Sequence, residues 1–427
     1  MTIINPFNPN SVVAPNLFAG RSSQINIICK KIEQIKNNMP SCFFIYGERG
    51  IGKTALVKFI KYLSENKSKL YDLNCLTSYY SVEKDQEIGS VLQASLNKIT
   101  DQMSEGLVEK ISKRLGDVFK NGKFQLGAFG TNLEVDLSKG GSKEREITIK
   151  DQVVSILINL LKSITISNKQ DEKSKQDEVI SNDGIIIVID EIHNLKNIES
   201  AASILRNIIT TLDVEGAGKI SFIIIGYKED MEKFFSDNSS SRRTFDLVEL
   251  EVMPDSEAQE ILEKGFKEAG IEYDKDCLKK IEIAGGYPHS VQIIGHLLIE
   301  NDEDNKIDQT DWGKVMYTAV MQLRRKEFAT MYTFDKPLKV KDEILVLLAE
   351  ENKPLYKKEL VKKLNKNVYQ YIPALKKSGA IKEDAEERVY LQSQLFRTAI
   401  RLDGMIRKEI RLDGMIRKAK KMENAKY

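Results

Sequence analysis

Two stretches of the chain are apolar at nearly every position, Cys42-Phe43-Phe44-Ile45-Tyr46 and Gly184 to Ile189. Strands with no polar face belong inside a parallel sheet covered on both sides. Ile220 to Ile225 has the same character, and Asp246 to Val252 reads as one more strand. Helical spacing of apolar positions lies between them, from Ser23 to about Lys36, from Ala55 to Leu63 and from Ala201 to Leu212. Strands alternating with helices predict an α/β domain with a parallel sheet, over residues 23–252.

The interval between the first two strands is longer than an αβ pair needs, so an insertion is expected at about 88–183. It reads as a helix over Ile88 to Phe119, a hairpin over Phe124 to Leu137 and a second helix over Ile149 to Ile166. A polar loop follows from Lys169 to Asp183, in which Lys-Gln-Asp-Glu occurs twice. Helices at Ser256 to Ala269, Asp276 to Ala284 and His289 to Asn301 then predict an all-α lid over 253–335.

From Asp342 the order is three helices, Gly379 and two short strands, at Ala380 to Lys382 and Arg388 to Leu391. That order suggests a winged helix-turn-helix over 336–400, with Tyr369, Gln370, Lys376 and Lys377 on the third helix and Glu383 to Glu387 at the wing tip. Pro373 is expected to interrupt that third helix. The wing tip is acidic, so packing on protein stays open beside contact with DNA. Residues 401–427 form a basic tail in which one octapeptide occurs twice, at Arg401 to Lys408 and at Arg411 to Lys418.

Charge sharpens this division. The whole chain carries +2, yet residues 337–427 hold 22 Lys/Arg against 13 Asp/Glu, which leaves the preceding 336 residues acidic. Such segregation fits a nucleic-acid-facing module, or a solvated helix surface, joined to a mildly acidic engine. At 41% hydrophobic and 30% charged residues the composition is that of an ordinary globular protein with room for several cores. No apolar run approaches the roughly 20 residues of a membrane span, and the N-terminus lacks an export pattern, so a cytoplasmic protein without membrane contact is expected. Cys29, Cys42, Cys75 and Cys277 are too scattered for a zinc cluster and read as buried thiols.

The chemistry is concentrated at two strand ends. Gly47-Glu48-Arg49-Gly50-Ile51-Gly52-Lys53-Thr54 spells G-x-x-x-x-G-K-T after the first strand and before the helix that begins near Ala55. In such a loop the backbone N–H groups surround a phosphate, the lysine reaches the outer phosphates and the threonine hydroxyl ligates Mg²⁺. The loop thus predicts a nucleoside polyphosphate, with Gly47, Arg49, Gly50, Ile51, Gly52, Lys53, Thr54 and Ala55 around it. At the end of the second apolar run stand Asp190 and Glu191. There Asp190 can hold Mg²⁺ and Glu191 can polarise an attacking water, which makes the site that of a hydrolase rather than a kinase. His193 reads as a structural or relay residue and nothing more.

Together these residues resemble the AAA+ superfamily, in the branch of the origin-recognition/Cdc6-like ATPases and the related STAND-type ATPases. Asn5-Pro6-Phe7 with Phe18-Ala19-Gly20-Arg21, in an extended arm over residues 1–22, is similar to the box this branch places near the adenine, so the resemblance implies Arg21 as a nucleotide contact. It also implies a sensor position at Ile225-Gly226-Tyr227, where Gly226 replaces the usual polar residue, and an arginine finger at Arg242 or Arg243. Ala284-Gly285-Gly286-Tyr287-Pro288 resembles the box that brings a proline such as Pro288 to the nucleotide in STAND-type members, with no sensor arginine after it. The function so implied is a slow, oligomer-dependent ATPase using ATP and Mg²⁺, a homo-oligomeric switch that assembles on double-stranded DNA for replication initiation, plasmid maintenance or transposition. The alternative it implies is a STAND-like signalling or antiphage-defence ATPase that engages a protein through the 88–183 insertion or the winged helix.

Overall fold

A computed structural model of the chain describes residues 4–67, 70–105, 108, 109, 111, 142–170, 182–236, 240–326, 328–333, 337–351, 353–392, 396–401, 403, 404 and 407. The hairpin expected at 124–137, most of the polar loop and the second octapeptide lie outside these residues. The chain divides into two units, Ala14–Glu251 and a second made of Met1–Val13 with Val252–Tyr427.

The 14–251 unit is organised by its apolar runs. Strands β1 (Ser41–Gly47), β2 (Cys75–Ser81), β3 (Gly184–Asp190), β4 (Ile220–Gly226) and β5 (Asp246–Leu250) form one parallel sheet in the order β2-β3-β4-β1-β5. Burial is complete along β3 and β4, as an apolar strand in the middle of a covered sheet requires. Helices α1 (Ser22–Ile32), α2 (Lys53–Ser64), α3 (Ile88–Thr100), α4 (Ser142–Gln170), α5 (Ile198–Val214) and α6 (Lys228–Phe234) supply the covering layers. The described part of α4 buries Val153, Ile156, Leu157 and Leu160 in the same core as Leu205, Ile208 and Leu212 of α5.

The register fixes where the chemistry gathers. Ile189 of β3 lies opposite Ile224 of β4, which in turn lies opposite Phe44 of β1. Asp190 therefore comes level with Ile45, two residues before the loop at Gly47. With strands about 4.8 Å apart, the two strand ends are roughly 10 Å from each other across β4.

Several boundaries differ from the periodicity. Helix α3 ends at Thr100, where Met103 N–H closes a turn on Thr100 O and the Gln102 side chain donates to Thr77 O at 2.7 Å; residues 105, 108, 109 and 111 are helical again, and 112–119 of the expected helix lie outside the described residues. β5 stops at Leu250, and the helix expected to reach Lys36 is α1 followed by a 3₁₀ turn over Glu33–Asn37. Strand β2 was not legible, since Cys75-Leu76-Thr77-Ser78-Tyr79-Tyr80-Ser81 neither alternates nor forms an apolar run.

The second unit contains α7 (Asp255–Ala269), β6 (Glu272–Tyr273), α8 (Lys275–Leu278), α9 (Pro288–Glu300), β7 (Lys306–Ile307) and α10 (Gln309–Lys326). The helix expected over Asp276 to Ala284 is α8 plus a 3₁₀ turn, and α10, built around buried Trp312, Val315, Ala319 and Leu323, is an addition. The N-terminal arm belongs to this unit. Phe7 is buried against α7 and α9, edge-on to Phe266 at 5.8 Å, while the Asn5 amide donates to His296 O at 3.0 Å. A Cβ at Gly265 would stand 2.1 Å from the Phe7 ring and one at Gly295 2.7 Å, so both helices need glycine where the ring seats.

After α10 come α11 (Val340–Glu351), β8 (Leu355–Tyr356), α12 (Lys357–Leu364), α13 (Ile372–Lys377), β9 (Ile381–Glu383) and β10 (Arg388–Leu391), with the strands ordered β8-β10-β9. Pro373 does not interrupt a helix there. It occupies the first turn of α13, where its missing N–H has no partner to lose, and the expected longer helix from Val368 is thereby shortened. The first octapeptide is anchored in this unit. Asp403 is buried and accepts from Tyr332 Oη at 3.0 Å and from Arg407, while Arg401 donates to Ala349 O at 2.8 Å.

Among the described residues no helix is long and apolar enough to cross a membrane. The four cysteines are buried and free, and burial pushes the thiols of Cys29, Cys42 and Cys75 up to about 12.

Phe7→Ala is expected to remove about 3 kcal/mol or more from the stability of the second unit by leaving a ring-sized cavity between glycines that cannot close it. Denaturant titration followed by fluorescence of Trp312, the one tryptophan of the chain and buried in that unit, measures this. An unchanged midpoint would show that the arm contributes nothing to that core.

Candidate nucleotide-binding site

The loop between β1 and α2 is shaped by its glycines. Gly50 and Gly52 have φ of 76° and 94°, in the left-handed region where a side chain is strained. Gly47 has no room for one, since a Cβ there would meet Leu250 O at 2.6 Å. Ile51 is buried and its carbonyl accepts from Arg21 Nη2 at 3.1 Å, so the arginine braces the loop from beneath. Arg21 is itself buried, with φ of 60°. Its guanidinium is turned into the protein, where it supports the loop backbone.

Lys53 opens α2. Its ammonium donates to Gly47 O at 2.8 Å and Glu48 O at 2.9 Å and lies 4.5 Å from the centre of the Tyr227 ring. Burial lowers its pKa below the ordinary lysine value, against the opposing pull of Asp190, Glu191, Asp230 and Glu48. Those four carboxylates show how much negative charge already faces the loop. Arg49 is exposed at the rim, and Ala55 is half-buried in the first turn of α2.

Across β4, Asp190 is only 2% exposed. Its Oδ2 accepts from Thr54 Oγ1 at 2.8 Å and from the Tyr79 hydroxyl, and its Oδ1 from the Glu191 N–H at 2.8 Å. The two motifs, separated by 136 residues, are therefore joined by a direct bond. Burial, followed by the charge of Asp190, raises the Tyr79 pKa, so its hydroxyl stays a donor. A threonine hydroxyl beside a carboxylate is a hard oxygen pair of the kind Mg²⁺ takes from a protein when phosphate and water complete its shell. Among the described residues no cluster of three His, Cys, Asp or Glu groups offers an all-protein alternative.

Glu191 follows in a left-handed conformation, φ 57° and ψ 44°, and opens a 3₁₀ turn over Ile192–Asn194. Its half-exposed carboxylate lies 3.3 Å from His193 Nε2. Sequence reasoning missed Tyr79 and Asp230, and named Tyr227 only as part of the sensor position. Tyr79 was hidden with its strand, and Asp230 could have been noticed only as an acidic residue in the first turn of a helix starting at a strand end.

The remaining expected residues belong to other elements. Arg242 and Arg243 end a 3₁₀ turn before β5, whose first residue pairs with Phe43, whereas the loop begins at Gly47 opposite Leu250. Arg242 packs on Met231 and Phe235, Arg243 is exposed, and within one chain neither contacts Thr54, Asp190 or Glu191 among the described residues. Pro288 lies in the second unit, in the first turn of α9, after Gly285 and Gly286 at φ of 63° and 74°. Gly286 O accepts from Met253 N–H at 2.9 Å.

Comparison with known proteins agrees with this geometry. Residues 17–220 match the AAA ATPase domain family. ORC1-type DNA replication protein 7 of Halobacterium salinarum is 34% identical over 89 residues, 21% of this chain and 17% of that protein. ORC1-type DNA replication protein 4 of Haloarcula marismortui is 29% identical over 100 residues, 23% and 19% of the two chains. The match thus spans under a fifth of either curated relative. Among solved structures, the ORC2 protein of Aeropyrum pernix superposes with a TM-score of 0.51 at 13% identity, over 95% of this chain and 99% of that one, a likeness of fold. Residues 17–220, which carry the loop and the acidic strand end, thus match the AAA ATPase domain family, and the covered parallel sheet is shared with the Aeropyrum pernix structure.

Proposed function

We propose that the chain binds ATP with Mg²⁺ at the 47–55 loop, hydrolyses it slowly, and uses the bound state as a switch in a replication-initiation type of assembly on duplex DNA. The observation that carries this reading is the bond between Thr54 and Asp190, which brings a metal-binding hydroxyl and carboxylate together at the mouth of the loop. Mg²⁺, when bound, would draw charge from the β- and γ-phosphoryl oxygens. The work of the protein is positional: Gly50 and Gly52 turn N–H groups inward, Lys53 exchanges its loop carbonyls for phosphate oxygens, and Glu191 orients and deprotonates water. The named relatives are DNA replication proteins, and the Aeropyrum pernix ORC2 protein was solved with ADPNP and ADP, which supports carrying both partners to this chain.

We read Arg242 and Arg243 as finger candidates for a neighbouring subunit, because their own chain gives them no access to Thr54 or Asp190. We read residues 336–400 as a winged helix on the order of α11 to β10. One observation favours the alternative of a protein partner for that module. Lys357 and Lys376 both pair with Glu383, Lys363 pairs with Glu351, Lys366 with Glu343 and Arg388 with Asp384. Basic side chains engaged internally offer less to phosphates.

Lys53→Ala is expected to weaken ATP binding by at least about 10²-fold, since it removes a buried charge-assisted contact; titration with a fluorescent ATP analogue reads this, and parent-like affinity would remove the loop from the site. Glu191→Gln is expected to bind ATP and lose turnover by roughly 10²-fold or more, which a single-turnover assay measures. Steady-state hydrolysis should rise on adding duplex DNA at low salt and fall back at moderate salt, as phosphate contacts weaken; indifference to DNA would favour the protein-binding alternative. Tyr79→Phe leaves the buried Asp190 carboxylate one donor short and is expected to cost about 1–3 kcal/mol of the 14–251 unit's stability, visible in urea unfolding followed by circular dichroism.

A further inference from the structure

Strand β4 ends beside the nucleotide loop without offering a side chain, because Gly226 stands there. The reason is steric. A Cβ at Gly226 would lie 2.8 Å from Ile192 Cγ2 and 3.0 Å from Asp230 Cβ, so the turn after Glu191 and the first turn of α6 already fill that space. What they bring with them is polar. The His193 ring has one nitrogen, Nε2, 3.3 Å from Glu191 Oε2, while the other, Nδ1, is buried without a hydrogen-bond partner among the described residues, 3.9 Å from Asp230 Oδ2.

Each partner is fixed from behind. Asp230 is buried, and its Oδ2 accepts from the Tyr227 N–H at 2.7 Å in the capping of α6. The Tyr227 ring lies 5.1 Å from the imidazole and carries the Lys53 ammonium on its face. Glu191, by contrast, is 41% exposed and sits on a backbone in a left-handed conformation that glutamate does not favour. A carboxylate with that freedom samples many rotamers, and activation of a water molecule needs one of them.

We infer that His193, carried by the turn seated in the space that Gly226 leaves open beside Asp230, is the positioning residue that holds the Glu191 carboxylate toward the loop. This rests on the reading of Glu191 as the base in ATP hydrolysis. The imidazole touches neither nucleotide nor water in this role. It acts through Glu191, by removing rotamers that point the carboxylate away.

The test uses the full chain. His193→Ala should lower kcat by about 10²-fold, the order of loss expected from a misplaced catalytic group, with the affinity for a fluorescent ATP analogue unchanged. His193→Gln, whose amide nitrogen reaches the same carboxylate, should recover most of that loss, and His193→Ala should add nothing in a Glu191→Gln background. A second readout does not need turnover: the chain has three histidines, so the ring ¹⁵N resonances of His193 can be followed directly and should move in Glu191→Gln and in Asp230→Asn. Parent-like kcat in His193→Ala, a fall in ATP affinity without recovery by glutamine, or His193 resonances indifferent to Glu191→Gln would each overturn the assignment while leaving the ATPase reading intact. A parent chain that binds ATP and never turns it over would overturn both.

Discussion

The architecture of the 14–251 unit turns on one buried carboxylate. Asp190 is almost fully removed from water, and an isolated ionised carboxylate in that position would cost several kcal/mol. Its oxygens are met by three donors from separate places: the Thr54 hydroxyl at the start of α2, the Tyr79 hydroxyl near the end of β2 and the N–H of its own neighbour Glu191. None of these can be supplied locally by β3 except the last. The parallel register of β2, β3, β4 and β1 is what delivers them, because a slip of one residue in any pair would turn the donor to the other face. Packing of the apolar strands and satisfaction of this one charge therefore select the same register.

The same point explains where the backbone is strained. Positive φ values at Gly50 and Gly52 come without a steric penalty, but Glu191 adopts the left-handed region as a residue with a side chain. Asp190 already binds the Glu191 N–H, and Asn194 N–H closes the turn on Glu191 O at 3.0 Å, so the conformation is over-determined on both sides. Strain held this way keeps the carboxylate at the strand end, where a relaxed turn would swing it outward.

Legibility in the sequence followed physical cause. The loop, the acidic strand end and four of the five strands could be read; the loop, β1, β3 and β4 each rest on a local signal, glycines that need positive φ or an apolar run with no polar face. β2 could not, since Thr77 and Ser78 are buried by their neighbours and not by their own chemistry, and with β2 went Tyr79. The brace that Arg21 gives the loop through Ile51 O was not legible either, since the resemblance offered that residue only as a nucleotide contact. Pro373 was misread because a proline that breaks a helix and one that begins a helix look alike until the preceding residues are seen to be a turn. The constellation of His193, Tyr227 and Asp230 spans three elements and is set by the absence of a side chain at Gly226, which no periodicity records.

Charge counting met a similar limit in the second unit. A surplus of basic residues over 337–427 is a property of composition, while the field at a surface depends on which charges are left unpaired. Glu383, at the end of β9, holds both Lys357 and Lys376, and those bonds keep its carboxyl below the usual glutamate range. Glu383 thus ties down Lys376, one of the lysines read as facing a partner, together with Lys357. Exposed pairs of this kind contribute little to stability, on the order of 0–1 kcal/mol each, so a polyanion can compete for the lysines at small cost. Whether the module meets DNA or protein is then set by how many of these weak pairs one partner can exchange at once, and the steepness of its salt dependence counts them.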